Sequence, residues 1–434
     1  MTGPWPTPSS PGVLAAEVIV FGALGLAVLA YDLGVPRSWR SAAARIAARI
    51  TGRSDWSWID APLLTAVAAA AFAAVGAVSW ASGAYGCSPG GGPSDLLTLT
   101  TSGQAFLHGG DPFSITACHS GGNPVPAGLA SVLLSAVGSL GGEAGVLAVW
   151  GAVSVAIVPL LWSLGGDRRA VATVFVLVSL LYLPIVAVQV DGASLALVPL
   201  TVLLVLYLSR RGWPRAAAIG GFLATGRFPA IFPVLAVTGR AGPRRFLSAG
   251  VAVAVFGLFT GLTYAAYREQ FAGPVFWLQF GRSHLALTYW AILQGAGWVE
   301  PSRALTVVQA LLILGAVGGT WLGGRTELGT VSIVLVVTIL LAQFLSFTEL
   351  VFLLPVALVG PRARAWLWGI GVVAATNYLI ALRSLRDLGR PMLLSYGLDV
   401  LLSALLLGLL VDLVVRERRG PVAPESPSEG APAA

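Results

Sequence analysis

The stretch from Asp95 to Phe113 concentrates two carboxylates and an imidazole in the longest polar interruption of a strongly apolar chain: Asp-Leu-Leu-Thr-Leu-Thr-Thr-Ser-Gly-Gln-Ala-Phe-Leu-His-Gly-Gly-Asp-Pro-Phe. A carboxylate beside hydrocarbon suits general-base chemistry, because it can take a proton from a polar acceptor while a lipid-linked partner approaches through the membrane. Asp95 and Asp111 are the candidate catalytic residues, and His108 is a candidate binding group between them. Each carboxylate also has a plainer role. Ser94-Asp95 can cap a helix predicted over Leu96 to Leu107, and Asp111 before Pro112 can start a turn.

The elements that must hold these residues are set by composition. Of 434 residues, 56% are hydrophobic and 10% charged, where soluble domains carry about 25% charged residues; mean hydropathy is +0.83. This is a polytopic all-α membrane protein, with no separate soluble domain and no repeat of fixed period. The net charge of +7 comes from arginine alone, since the chain contains no lysine. These arginines cluster between apolar runs instead of forming a nucleic-acid stripe, so the basicity reports topology and excludes a nucleic-acid partner.

Taken in order, residues 1–12 form a short extracytoplasmic N-terminus, and Val13 to Leu33 is long enough to cross a hydrocarbon core of about 30 Å. Pro36 to Arg53, with Arg37, Arg40, Arg45, Arg49 and Arg53, reads as an interfacial helix on the cytoplasmic face. Ile59 to Trp80 returns, and residues 81–124, which contain no arginine, form a first extracytoplasmic loop. Val125 to Leu140 is a helix lying in or dipping into the outer interface. Ala144 to Leu164, Val171 to Val188 and Ser194 to Leu208 follow as spans. Ala216 to Val237 is interrupted by Gly226-Arg227-Phe228-Pro229, which predicts a broken, re-entrant helix. Leu247 to Tyr264 leads to a second, aromatic-rich outer loop, 268–303. Leu305 to Leu322, Val331 to Phe347, Leu350 to Val359, Trp366 to Ala381 and Leu398 to Val415 complete residues 13–416 as about 11 spans. Arg325, Arg362, Arg364 and Arg416 to Arg419 mark inner loops, and 417–434 is a disordered cytoplasmic tail.

Further candidate binding groups are Gln189 and Asp191 in an outer turn, Arg227 in the broken helix, Arg282 and His284 in the second loop, and Glu349. An arginine inside a membrane segment is a functional hypothesis by default; its plainer reading is a positive-inside charge. Cys87 and Cys118 both fall in the first loop, which allows an extracytoplasmic disulfide or two unpaired thiols. His108 and His119 lack the spacing of a metal site, so no structural metal and no cofactor are predicted, with divalent-ion dependence left open.

The order of these motifs resembles the GT-C glycosyltransferases, and in particular the polyprenyl-phosphate-mannose-dependent mannosyltransferases of glycosyltransferase family 87. The resemblance runs over roughly residues 60 to 360 and rests on Asp95, the corner ending Gly-Asp-Pro-Phe113, Gln189-Val190-Asp191-Gly192 and Gly226-Arg227-Phe228-Pro229. It implies a GT-C-like bundle with Asp95 as general base, Asp111 as the acid of an Asp-Pro-aromatic corner, and Arg227 with Pro229 in place of a Lys-x-Pro. Phe113 stands where the family has tyrosine, and Ser346-Phe347-Thr348-Glu349 where many relatives carry Ser-Pro and a histidine. The implied activity is transfer of a sugar, mannose by family default, from a polyprenyl-phosphate donor to a glycolipid or glycan of the cell envelope. It would proceed by inverting single displacement at the outer face of the plasma membrane. A polytopic transporter or lipid flippase is the competing class, since broken helices and embedded arginines occur there too; a non-catalytic partner of an envelope complex is a third.

Overall fold

The computed structural model describes residues 11–33, 60–81, 95–113, 128–166, 169–179, 193–209, 213–239, 245–267, 293, 298–299, 303–323, 326–341, 347–387 and 392–419. Among these residues the protein is all helical, with no strand. Three stretches are long and apolar enough to cross a membrane: Gly142–Leu164, Phe246–Ala266 and Gly397–Arg418; shorter apolar helices accompany them. Large apolar side chains cover the outside, among them Ile19, Leu258, Leu262, Leu311, Leu312 and Val411, each at least half exposed. A surface of that kind suits lipid as its solvent.

Helices α1 (Pro11–Asp32), α2 (Ala61–Ala81), α3 (Asp95–Leu107), α4 (Leu129–Ser139), α5 (Gly142–Val155), α6 (Ile157–Leu164) and α7 (Arg169–Ser179) form the first part of the bundle. Asp60 caps α2, its Oδ1 accepting from the Leu63 amide at 2.8 Å, and Pro62 lies in the first turn, where a missing N–H costs nothing. The α3, α4 and α5 backbones approach closely because small residues line the seams. A Cβ on Gly103 would lie 2.5 Å from the Ser135 carbonyl oxygen, and one on Gly145 would lie 2.2 Å from that of Gly138.

A 3-10 turn, Ala193–Ala196, opens α8 (Leu197–Ser209). Next comes a helical hairpin in place of one straight span: α9 (Trp213–Ala224), a bend, the short 3-10 turn Phe228–Ala230, and α10 (Ile231–Thr238). The two arms run side by side, since a Cβ on Gly220 would meet Val234 at 3.0 Å. Gly226 and Pro229 make the bend. The chain continues through α11 (Arg245–Ala266), α12 (Arg303–Gly323), α13 (Glu327–Leu341), a 3-10 segment of 12 residues (Phe347–Leu358), α14 (Pro361–Asp387) and α15 (Met392–Arg419). The core gathers around α8, α10, α13 and the 3-10 segment, whose Val351, Leu354, Val356 and Ala357 are fully buried.

One end of the bundle is tied by polar contacts. The Trp321 indole N–H donates to the Leu235 carbonyl at 3.1 Å. Glu417 on α15 accepts from the Thr326 amide at 2.8 Å and hydroxyl at 2.6 Å, and Thr326 in turn caps α13 through the Gly329 amide at 3.0 Å. Arg364, expected in a solvated loop, is buried instead. Its Nε and Nη2 both donate to Asp32 Oδ2, the former at 2.7 Å, and its Nη1 donates to the Ala357 carbonyl at 2.8 Å. The reason is that α14 starts at Pro361, earlier than the apolar run from Trp366 implied, so Arg364 falls within the helix and against α1.

Candidate functional site

The corner after α3 is built by stop signals. The Gly110 amide donates to Ala105 O at 2.8 Å and the Gly109 amide to Phe106 O at 3.2 Å, with Gly109 at φ 73°. This is a left-handed glycine closing a helix C-terminus. Asp111 Oδ1 accepts from the Phe113 amide at 2.9 Å, the turn that its place before Pro112 anticipated. The Ser102 hydroxyl then donates to Pro112 O at 2.7 Å, folding the chain back along α3. His108 is exposed and Asp111 half-buried. The Phe113 ring meets Tyr267 edge to face at 5.5 Å between centroids, which joins the corner to the end of α11.

A second polar centre, fully buried, lies at the hairpin bend. The N-terminus of α4 has no cap of its own and takes one from the bend, nearly a hundred residues away. The Gly128 amide donates to Gly226 O at 3.1 Å, the Ala130 amide to Thr225 Oγ1 at 3.2 Å, and the Ser131 hydroxyl to Gly226 O at 3.0 Å. A Cβ on Gly128 would sit 1.8 Å from Thr225 O, so only glycine allows this approach. Arg227, 6% exposed, donates from Nε and Nη2 to Ser194 Oγ at 2.9 and 2.6 Å. Ser194 belongs to the 3-10 turn that starts α8, and that turn packs against the 3-10 segment carrying Glu349, which is 6% exposed. The amino ends of α4 and α8 therefore meet at the bend that carries Arg227.

The geometry separates these centres. Ser139 Oγ donates to Thr100 O at 3.2 Å while Gly103 abuts Ser135, so α3 and α4 run antiparallel. Asp95, the first residue of α3, lies beyond the Ser139 end of α4. The Arg227 bend lies at the Gly128 end, about 16 Å away along that helix. Asp111 comes beside Ser102, about 10 Å along α3 from Asp95. Arg227 and the segment of Glu349 are thus brought together, Asp95 and Arg227 are not, and Asp111 stands between them.

Gln189, Asp191, Arg282, His284, Cys87 and Cys118 lie outside the described residues, as does the side chain of Asp95. Among the described residues no cluster of histidine, cysteine and carboxylates could hold a metal ion. Sequence reasoning passed over Ser131, Ser194 and Thr225, whose roles depend on partners distant in the chain. It also passed over a buried pair, Asn377 Nδ2 donating to Asp399 Oδ1 between α14 and α15, although a lone carboxylate inside the apolar run from Leu398 was a visible signal. No family model, curated protein or solved structure matches the chain.

Proposed function

We propose that the protein is a plasma-membrane glycosyltransferase with a GT-C-like bundle of about eleven spans, taking a sugar, mannose by default, from a polyprenyl-phosphate donor to an envelope glycolipid or glycan. In this reading the hairpin α9–α10 is re-entrant, the reacting centre is extracytoplasmic and the C-terminus is cytoplasmic. The observation that carries it is the junction of the acidic corner with the lipid-facing wall. Phe113 packs on Tyr267 at the end of α11, whose Leu258, Leu262 and Tyr264 are 50% or more exposed. A prenyl chain running along that wall would deliver its headgroup beside α3.

Asp95 takes the acceptor hydroxyl proton, the hydroxyl oxygen attacks the anomeric carbon with inversion, and the carbon–oxygen bond to phosphate breaks with its electron pair leaving on phosphate. A cation near that leaving group is worth several kcal/mol in a dry site. The spacing along α3 and α4 sets Arg227 apart from Asp95; Arg282 and His284 remain the candidates for this task, with Gln189 and Asp191 as sugar-binding candidates. Arg227 and Glu349 then belong to a different centre from the one that transfers the sugar. Asp111 holds the corner.

The test is transfer of labelled sugar from polyprenyl phosphate in membranes, comparing wild type with Asp95→Asn. Loss of transfer in the variant is expected, and equal rates overturn the mechanism. A thiol probe at Gln104, which is exposed on α3, should react from outside intact cells; reaction only after permeabilisation overturns the orientation. One observation favours a second reading, transport of an anion: half-helix amino ends converging on a buried arginine are a transporter's way of holding an anionic group. Flux of such an anion in vesicles, with no sugar transfer, would replace the first reading by this one.

A further inference from the structure

We infer that Asp399 and Asn377 form a proton-binding site inside the membrane, where the carboxyl holds a proton and shares it with the amide. The inference goes beyond sugar transfer and does not depend on it. The two side chains meet across the seam between α14 and α15: Asn377 Nδ2 donates to Asp399 Oδ1, and the residues are 0% and 2% exposed.

Their depth comes from the helices that carry them. Asn377 lies about 20 Å along α14 from Arg364, and Asp399 about 26 Å along α15 from Arg416. Those two arginines mark one end of the bundle, since an added Cβ on Gly360, just before α14, would lie 3.7 Å from Arg416 Nη1. A hydrocarbon core is about 30 Å thick, so the pair stands within it, toward the opposite face. From that face α15 runs about 10 Å, starting at Met392, before it reaches Asp399.

No positive charge compensates the carboxyl. Among the described residues no cation pairs with it, and Arg364 and Arg416 are engaged by Asp32 and Asp412. Past Asn377 on α14, Arg383 and Arg386 are placed about 120° and about 180° around the helix from it. The other helix packed on α15 is α13. It has no titratable residue from Leu328 to Leu341, and its Glu327 lies at the end where Thr326 holds Glu417. Tyr378 and Tyr396, the titratable neighbours in sequence, are phenols, and Glu17 of α1 is an acid. A carboxylate in such a setting costs far more than a neutral acid. Binding a proton removes the charge and adds a donor: a carboxylic acid and an amide can exchange two hydrogen bonds, whereas a carboxylate only accepts. Raising the pH until the proton leaves therefore weakens the seam between α14 and α15.

The experiment is infrared spectroscopy of the full-length protein in liposomes across a pH series. At neutral pH the wild type should show the C=O stretch of a protonated carboxylic acid, lost in Asp399→Asn and lost reversibly as the pH is raised. Asn377→Leu should keep that band and move it to higher frequency, because a carbonyl relieved of a hydrogen bond is stiffer. If Asp399→Asn folds poorly, dicyclohexylcarbodiimide reads the wild type directly. The carboxyl proton passes to one carbodiimide nitrogen, the carboxyl oxygen bonds to the central carbon, and the acyl group then shifts to nitrogen with no leaving group. The peptide carrying Asp399 should gain the mass of the whole reagent at neutral pH and less in alkaline buffer. A wild-type spectrum without the band at neutral pH, a band that survives in Asp399→Asn, or an unmodified Asp399 overturns the site; a band unmoved in Asn377→Leu overturns the sharing with the amide.

Discussion

Two buried arginines, Arg364 and Arg227, show how differently one residue type is used in this bundle. Arg364 sits inside a regular helix and is 1% exposed. It spends its donors on a carboxylate of α1 and a carbonyl of the neighbouring 3-10 segment, so it joins three elements. Arg227 stands in extended backbone at φ −148° between two helical arms, and its Nε and Nη2 converge on one hydroxyl, that of Ser194. The first pins elements that are already regular. The second exists because the helix is interrupted, and it places its charge where helix ends collect.

This contrast breaks most readily at Arg364. Arg364→Leu leaves the Asp32 carboxyl buried without its guanidinium and should cost about 3–5 kcal/mol, read as a lower unfolding temperature in detergent. Replacing both partners by leucine should recover most of that loss, because two apolar groups leave no buried charge behind. If the double variant is no better than the single one, the pair does more than hold α1 to α14. At the other centre, Gly128→Ala forces a methyl against the Thr225 carbonyl, and a shift of α4 costing about 1–3 kcal/mol is expected.

Smaller effects sharpen the difference. Ser194→Ala removes the hydroxyl that two Arg227 donors share, an expected loss of about 2 kcal/mol, and the same unfolding measurement reads it. Asp111→Asn keeps the oxygen that accepts from Phe113, so stability should change by less than about 0.5 kcal/mol. Sugar transfer should survive it. Loss of transfer with stability intact would move Asp111 from the turn into the chemistry.

The helices were largely legible in the chain, because a run of apolar residues bounded by glycine, proline or arginine reports itself locally. Val13 to Leu33 and Leu247 to Tyr264 are observed as Pro11–Asp32 and Arg245–Ala266. The interruption at Gly226 to Pro229 was equally plain, since proline and glycine act on their own backbone. Leu350 to Val359 was harder. Ten apolar residues are short for an α-helical crossing, and nothing local announced that this segment would adopt the longer rise of a 3-10 helix. Arg364 was misread for a related reason: the apolar run began after it, while the helix began before it.

What the amino-acid sequence alone determined is the class of protein, the helical material, the breaks and the stock of polar groups, because hydrophobicity and backbone preference depend on a residue and its near neighbours. Tertiary structure decided which of those groups meet. The cap that α4 takes from Thr225 and Gly226, the hydroxyl of Ser194 under Arg227, and the carboxylate of Asp32 on Arg364 all join residues far apart along the chain. Packing selects such pairs through burial, since an unpartnered polar group is costly only once the surrounding helices have removed it from water.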